Sequence, residues 1–235
     1  NALVYALRQV DFAANKATTS LWIMPAKPGA TARKLSPEGA NGVNPQWSAD
    51  GTSVYFLSSK SGSMQVWRAP ATGGDAQPVT SYALDVGGYR LSPQGDALAL
   101  SLEVFDDCGN LACTKQRLDE TAAKKSSGVV FNQLFIRHWD AWFDGRRNQL
   151  FTAKLDSDGR AVAEPTRVSR GIDGDVPSKP FGDASEYAWS PDGKSLAFNA
   201  RIAGRTEAWS TNFDIFLAPA DGSAAPRNLT ESNPA

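Results

Sequence analysis

The 235-residue chain carries 24 Lys and Arg against 25 Asp and Glu, with one His, so its formal net charge at pH 7 is −1. A nearly neutral chain lacks the basic excess with which proteins bind nucleic acid or anionic membranes, and neither partner is expected. Hydrophobic residues make up 41% of the sequence, yet no run approaches the ~18 consecutive apolar residues of a membrane span. These values predict a soluble globular protein.

The chain consists of repeated units, and the first, at about 1–36, starts without its opening motif. Residues 2–5 (ALVY) match residues 53–56 (SVYF) of the next unit, but the turn motif that precedes 53–56 has no counterpart before residue 2. An apolar-aromatic strand follows at 21–25 (LWIMP), and the unit ends at Leu35-Ser36. We therefore expect this unit to begin at its second strand.

The second unit, at about 44–80, has the full pattern. Residues 45–51 (PQWSADG) combine an apolar residue, Ser, two turn residues and Gly, and an apolar run follows them. Because Gly accepts the left-handed conformation that closes a tight hairpin, the motif predicts a strand, a turn and a second strand. A third strand is expected at 66–70 (VWRAP), and Val79-Thr80 ends the unit.

The third unit, at about 89–169, is oversized. Its turn motif ends at Gly95, 44 residues after Gly51, but the Gly of the next motif comes only after a further 98 residues. We place an insertion at about 104–130, between the second and third strands, because loops lengthen at little cost in free energy. The third strand is predicted at 150–154 (LFTAK), and Val168-Ser169 ends the unit.

The fourth unit, at about 187–230, repeats the motif at 187–193 (YAWSPDG). Four strands per unit at a spacing near 44 residues is typical of a β-propeller blade, so we predict an all-β chain of about three and a half four-stranded blades. Asn233-Pro234 matches Asn44-Pro45, which precedes an innermost strand, so we expect the chain to be part of a longer protein. The repeat-position tryptophans are expected to pack between blades: 22, 47, 67, 189 and 209.

The two cysteines, Cys108 and Cys113, lie in the predicted insertion with Gly109-Asn110 between them. They do not fit a zinc site, which needs two more ligands. A small disulfide-closed loop suits them better and indicates an oxidising compartment, the periplasm or the cell exterior; two free thiols in a cytosolic protein are the alternative. Residues 156–159 (DSDG) lack the spacing of a calcium loop. No metal and no cofactor is expected.

Two segments of the third and fourth units carry a resemblance to a known family. Residues 133–142 (QLFIRHWDAW), continued by 144–151 (DGRRNQLF), are similar to the Arg-His-Trp-Asp segment of dipeptidyl-peptidase V and acylaminoacyl-peptidase-like enzymes. Residues 176–187 (VPSKPFGDASEY) are similar to the loop that these enzymes carry before the next blade. The chain thus resembles the N-terminal propeller of prolyl-oligopeptidase-family serine peptidases.

The resemblance implies a seven- or eight-bladed propeller followed by an α/β-hydrolase domain whose Ser, Asp and His attack a peptide carbonyl. No Gly-x-Ser-x-Gly motif occurs in the sequence and His138 is its single His, so no catalytic residue is expected in this chain. The chain is expected to cap the active site, limit substrate size and hold the substrate N-terminus. The expected partners are a peptide substrate, the hydrolase domain of the same protein and, as one option, a second copy in a homodimer.

Four residues are candidates for substrate binding. Glu186 precedes the innermost strand of the fourth unit and Glu103 ends the second strand of the third, two positions that open on the same face of a propeller. A carboxylate there would accept the ammonium group of a substrate through a charge-assisted hydrogen bond; the alternative is an ordinary solvated or paired Glu. Arg137 and His138 would face a substrate carbonyl, with a structural role among the surrounding aromatics as the alternative.

Two other classes of protein share the repeat. A TolB-like periplasmic propeller, which is not an enzyme and binds protein partners, has the same Trp-Ser-Pro-Asp-Gly turn as residues 189–193. A propeller glycosidase would require inward-pointing acidic residues on several blades, and the sequence has only scattered ones. The Arg-His-Trp-Asp segment and the long third unit favour a dipeptidyl-peptidase-type exopeptidase.

Overall fold

The computed structural model describes residues 1–36, 41–131, 137–162 and 164–233, in which four antiparallel sheets follow one another in chain order. Sheet 1 contains β1 (Ala2–Asp11), β2 (Lys16–Pro25) and β3 (Arg33–Lys34). Sheet 2 contains β4 (Val43–Trp47), β5 (Ser53–Ser58), β6 (Gln65–Pro70) and β7 (Gln77–Pro78). Sheet 3 contains β8 (Val86–Leu91), β9 (Ala97–Phe105), β12 (Arg146–Lys154) and β13 (Thr166–Arg167). Sheet 4 contains β14 (Tyr187–Trp189), β15 (Ser195–Ala200), β16 (Asp214–Pro219) and β17 (Arg227–Asn228).

In every sheet each strand pairs with the next strand of the same unit, which is the meander of a propeller blade. The all-β fold and the partial β-propeller predicted from the repeat are confirmed. The register also supports the alignment of the first unit with the second: Ala2 faces Pro25 in sheet 1 as Ser53 faces Pro70 in sheet 2. The strand β1 therefore occupies the second position of a blade, as expected.

The turn motif has the backbone conformation that its residues predict. Gly51, Gly95 and Gly193 have φ of 68°, 76° and 70°, the left-handed region that a side chain would strain. The Ser of each motif adds a contact that the pattern alone did not predict. The Ser190 hydroxyl accepts a hydrogen bond from the backbone N–H of Ser195 at 2.9 Å, and Ser48 does the same for Ser53 at 3.0 Å. This hydroxyl closes the hairpin.

The central strands are apolar on both faces because each serves two cores. On β5, Val54 and Phe56 pack toward sheet 1, whereas Tyr55 and Leu57 pack toward sheet 3. Alternate side chains of a strand point to opposite faces, so a strand between two neighbouring sheets must be apolar at consecutive positions. The stretch 53–58 is therefore continuous rather than alternating in hydrophobicity.

A second repeated contact explains why each unit ends in an apolar residue followed by Ser or Thr. The hydroxyls of Ser36, Thr80, Ser169 and Thr230 accept hydrogen bonds from backbone N–H groups of the strand before the last in their own sheet, at distances of 2.9 to 3.1 Å; the donors are Leu21, Val66, Leu150 and Ile215. We call these four contacts the hydroxyl clasps. In sheet 3 the clasp includes the buried Gln149, whose amide also donates to the carbonyls of Ile172 and Gly174. The clasp therefore fixes the start of the connection to sheet 4.

The insertion in the third unit is longer than predicted and contains a helix. The strand β9 continues to Phe105 and β12 begins at Arg146, so the connection spans 106–145 rather than 104–130. Helix α1 (Leu111–Ala122) starts with an N-cap in which Asn110 accepts a hydrogen bond from the Cys113 N–H. Cys108 and Cys113 form a disulfide bond that joins the first turn of this helix to the end of β9.

The rest of the connection forms a small hairpin, β10 (Arg137–His138) and β11 (Ala141–Trp142). Residues 133–136 of the Arg-His-Trp-Asp segment, and Pro234 of the terminal match, lie outside the described residues. Packing of tryptophan between sheets holds for Trp67, which is 6% exposed, and for Trp189, whose indole donates to Arg90 O. It is wrong for Trp209, which is 67% exposed in the connection between β15 and β16. Among the described helices, none is long and apolar enough to cross a membrane.

Candidate functional site

A cavity of about 930 Å³ opens at one end of sheets 3 and 4. The end of β9, the hairpin β10–β11 and the start of β12 form one side, and the connections β13–β14 and β15–β16 form the other. In an up-and-down meander these connections all emerge at the same end, opposite the turns that contain the repeated Gly. The volume lies near the upper end of the ~300–1,000 Å³ range of small-molecule sites in proteins.

Arg147, at the start of β12, is the centre of the cavity's charge network. Its guanidinium donates two hydrogen bonds to Glu207, at 2.6 and 2.7 Å, and a third to Asp175, at 3.1 Å. Asp173 lies further away, with 3.8 Å between Arg147 Nη2 and Asp173 Oδ1. The ring of Phe143 covers the guanidinium at 5.0 Å. One side chain of sheet 3 thus joins the two connections on the far side of the cavity.

The pKa shifts in this network favour the charged forms. Burial alone would raise the pKa of Glu207, but the hydrogen bonds and charge of Arg147, with the charge of Arg201, hold it below its ordinary value. Burial likewise opposes the charge on Arg147, and the hydrogen bond and charge of Glu207 together with the charge of Asp175 raise its pKa well above the ordinary value. The cavity wall is therefore a fixed ion-pair network near neutral pH.

Glu103, one of the carboxylates predicted from the sequence, lines the same cavity. It forms ion pairs with Lys179 and with Arg146, the latter at 3.0 Å between Nη2 and Oε2. Lys179 also lies 3.6 Å from Asp175, so Glu103 and Arg147 belong to one continuous network of alternating charge. Glu103 thus reaches the cavity, as expected of a substrate-binding residue, but two cations already neutralise it.

His138 also lines the cavity and is partly buried. Burial lowers the pKa of its imidazole, and the charges of Lys179 and Arg201 lower it further, whereas those of Asp175 and Glu207 raise it. The net direction is downward, so the neutral imidazole is favoured near pH 7. A neutral imidazole can donate one hydrogen bond and accept another, which suits a peptide group.

The other two predicted residues lie beside the cavity instead of lining it. The Glu186 carboxylate accepts hydrogen bonds from the Ser178 N–H at 2.7 Å and the Ser178 hydroxyl at 2.8 Å, which closes the loop between them. Arg137 is exposed and its guanidinium stacks on the Trp142 ring at 5.4 Å. The structure therefore brings Glu103 and His138 together in the cavity and leaves Glu186 and Arg137 on the segments that border it.

Sequence reasoning missed the residues that dominate the cavity: Arg147, Asp173, Asp175, Lys179 and Glu207. Arg147 had a signal, because a charged residue at the start of a strand as apolar as 149–153 needs a buried partner. The partners of Arg147 had no such signal in the sequence, because Glu207, for example, is 60 residues away in a connection of mixed composition. Within the described residues, no cluster of three or more His, Cys, Asp and Glu has the arrangement of a metal site.

The arrangement is suited to binding rather than to bond cleavage. Nine charged residues line the cavity, of which Glu103, Asp144, Asp173, Asp175 and Glu207 are acidic and Arg146, Arg147, Lys179 and Arg205 are basic. All the acidic residues form an ion pair, and Asp173 has both the longest distance and the most exposed side chain, at 76%. Among these carboxylates, Asp173 is therefore the one that a cationic group of a ligand can approach without displacing a short ion pair.

The sequence is similar to that of dipeptidyl-peptidases. It is 27% identical over 197 residues to dipeptidyl-peptidase 5 of Arthroderma otae, and the aligned stretch covers 80% of this chain and 26% of that protein. It is 26% identical over 215 residues to dipeptidyl-peptidase 5 of Porphyromonas gingivalis, which covers 91% of this chain and 30% of that protein. The chain therefore spans only about a quarter to a third of the length of these curated relatives. No model of a known protein family matches it.

Solved structures with the same fold include acylaminoacyl peptidases. The enzyme of Pyrococcus horikoshii superposes with a TM-score of 0.62 at 13% identity, over 97% of this chain and 30% of that one. An acylaminoacyl peptidase in complex with Z-Gly-Gly-Phe-chloromethyl ketone gives 0.62 at 14% identity, over 98% and 31%. At these identities the likeness shows the fold alone. The resemblance predicted from the motifs is confirmed to this extent: the chain is a β-propeller segment that is similar in sequence to proteins named dipeptidyl-peptidase 5 and shares its fold with acylaminoacyl peptidase structures.

Proposed function

We propose that this chain is the propeller part of a serine exopeptidase that releases dipeptides or blocked residues from peptide N-termini, and that its cavity receives the substrate's N-terminal end. The observation that carries the proposal is the charged cavity, which opens where the connections of sheets 3 and 4 meet. The similarity of the chain to proteins named dipeptidyl-peptidase 5 supports the reaction class. The nucleophilic Ser and its partners belong to an α/β-hydrolase domain outside this chain.

Within this proposal, Asp173 is the acceptor of the substrate ammonium group. Asp173 is exposed and only distantly paired, so a ligand cation can approach it without breaking a short ion pair. Glu103 lies on the same wall, but its charge is shared between Lys179 and Arg146, so it would contact the substrate as part of this ion-pair network. His138 lines the same cavity, and its imidazole would lie beside a peptide group of the bound chain.

The proposal includes two further properties of the whole protein. The bordering hairpin and loop would limit the size of the peptides that reach the cavity, which is a gating role. The disulfide between Cys108 and Cys113 supports a location in the periplasm or outside the cell, where such bonds persist.

The test uses the protein that carries this chain, treated with a fluorescent fluorophosphonate and, separately, with tetrapeptides whose N-terminus is free or acetylated. The proposal expects a labelled serine and release of dipeptides from the free peptides, or of the acetylated residue from the blocked ones. A protein that is folded, unlabelled and inactive toward both peptide sets would contradict the enzymatic role. Such a result would favour the alternative, a TolB-like propeller that binds protein partners.

A further inference from the structure

Three exposed aromatic side chains stand at the entrance of the cavity. Trp139 and Phe181 are 70% and 77% exposed and meet edge to face, with ring centroids 5.1 Å apart; Trp142 is 58% exposed and lines the cavity itself. We call Trp139, Trp142 and Phe181 the aromatic mouth. His138 and Pro180, the chain neighbours of Trp139 and Phe181, also line the cavity, which places the pair at its edge. Clustered exposed aromatics on a soluble protein mark a binding surface.

The backbone at Trp139 has an unusual conformation. Trp139 has φ of 50°, in the left-handed region that bulky residues rarely adopt. A conformation of this kind is strained and persists where neighbouring structure requires it, often at binding sites. Its hairpin is supported by Trp142, which stacks on Phe131 at 5.6 Å and carries the Arg137 guanidinium on its ring.

The loop that carries Phe181 is equally fixed. Glu186 binds both the N–H and the hydroxyl of Ser178, and the Gly182 N–H donates to the Ser178 carbonyl at 2.8 Å. A side chain at Gly182 would collide with the backbone of Ser178, so only Gly permits a loop this tight. Both partners of the Trp139–Phe181 pair are therefore preorganised, and a ligand that contacts them pays little to order them.

We propose that the aromatic mouth binds an apolar side chain of the peptide substrate, at the residue that follows those held in the cavity. This inference rests on the proposed function, in which the cavity takes the substrate's N-terminal end. The charges divide the surface accordingly: the nine charged residues line the cavity, where the ammonium group enters, whereas the mouth offers aromatic faces. The mouth then sets a preference for apolar residues, with Arg137 and Glu186 as positioning residues that act through Trp142 and Phe181.

The test measures dissociation constants by calorimetry for the protein that carries this chain. The probes are the tetrapeptides Ala-Ala-Phe-Ala and Ala-Ala-Ser-Ala, with free or acetylated N-terminus, N-methylated at all three peptide bonds so that they resist release of a dipeptide or of an acetylated residue. Trp139→Ala and Phe181→Ala are compared with Phe12→Ala, a matched control because Phe12 is 94% exposed in the turn of sheet 1. The mouth variants should bind the Phe peptide about 3- to 10-fold more weakly and the Ser peptide unchanged.

The outcomes separate this proposal from the function on which it rests. Equal affinity of the wild-type protein for the Phe and Ser peptides, or an undiminished Phe preference in both mouth variants, would overturn the role of the mouth. Even if the role of the mouth is overturned, the cavity's role stands when the Ser peptide with a free N-terminus binds better than its acetylated form. If acetylation has no effect but the mouth variants lose the Phe peptide, the mouth is supported and the ammonium site is not. Absence of binding by all four peptides would overturn both.

Discussion

Arg147 and Glu207 are 60 residues apart in the sequence, and two hydrogen bonds of 2.6 and 2.7 Å join them across the boundary between sheet 3 and sheet 4. Both side chains are largely buried, at 17% and 11% exposure. A charge in this position cannot lose its partner without cost, because the low-dielectric surroundings give it no water to replace the missing hydrogen bonds.

Replacement of Arg147 by Ala should therefore destabilise the protein strongly. It would leave Glu207 and Asp175 buried without their main cation, and loss of one partner from a buried ion pair typically costs about 3–5 kcal/mol. The free energy of unfolding from urea titrations provides the measurement. Arg205→Ala is the control, because Arg205 lines the same cavity but is exposed and has no ion pair with a described residue. A similar loss in both variants would contradict the role of the network.

Replacement of Asp173 by Asn should weaken the binding of peptides with a free N-terminus and leave the binding of acetylated peptides unchanged. The side chain is mostly exposed, so the interaction with an ammonium group is screened and the expected change in affinity is about two- to fivefold. Dissociation constants of the free and acetylated Ala-Ala-Ser-Ala peptides test this. Asp158→Asn, in the turn between β12 and β13, serves as the control for loss of one surface charge. An equal effect on both peptides would remove Asp173 from the ammonium site.

Replacement of Glu186 by Ala should resemble Phe181→Ala, because its carboxylate ties the loop through Ser178. We expect weaker binding of Ala-Ala-Phe-Ala whether its N-terminus is free or acetylated, measured by the same calorimetry. Glu186→Gln keeps one acceptor oxygen and should retain most of the affinity. A loss restricted to free peptides in both variants would instead support direct binding of the substrate ammonium by Glu186, as first expected from the sequence.

Reduction of the disulfide between Cys108 and Cys113 should loosen the start of helix α1. The bond closes a loop of only six residues, for which the chain-entropy argument gives about 2 kcal/mol. Hydrogen exchange before and after reduction should show faster exchange at 111–122 and little change in sheet 2. The Cys108→Ser, Cys113→Ser double variant should reproduce the reduced state. Alkylation of both thiols in the unreduced, denatured protein would contradict the bond.

The pH dependence of stability should contain a contribution from His138. Its folded-state pKa lies below the ordinary value of 6.5, so between the two values the unfolded chain binds more protons than the folded one. Stability therefore rises with pH through this window and is lost as the pH falls below 6.5. The difference in urea midpoint between the wild-type protein and His138→Gln, measured at pH 5, 6 and 7.5, should shrink with falling pH. A constant difference would exclude a shifted His138.

The repeat made the fold predictable because its signals are local. Gly193 and Ser190 act within one hairpin, and the apolar run that follows requires two buried faces wherever it occurs. Helix α1 was missed because its sequence (LACTKQRLDETA) is mostly polar and buries only Leu111 and Thr114, so apolar periodicity is weak.

The site was less predictable because its residues meet through contacts between distant parts of the chain, which local signals do not reveal. Glu103 and His138 were found because they adjoin recognisable strands or motifs, but the Arg147–Glu207 pair forms only when the start of β12 in sheet 3 meets the connection between β15 and β16 of sheet 4. Trp209 shows the converse error: its position fits the repeat, yet it lies in the connection before β16 and packs on neither neighbouring core. Periodicity places side chains within strands and carries no information about the connections.

The hydroxyl clasps bear on how such a scaffold changes over evolutionary time. Gln149, held by Ser169, secures the residues on both sides of Asp173 through their backbone carbonyls, so the side chain of Asp173 itself is not needed to hold this part of the connection in place. Substitutions at this position can alter what the cavity recognises without disturbing the sheets beneath. The same hydroxyl at the end of each of the four units makes every junction between blades an equivalent place for a new specificity to arise.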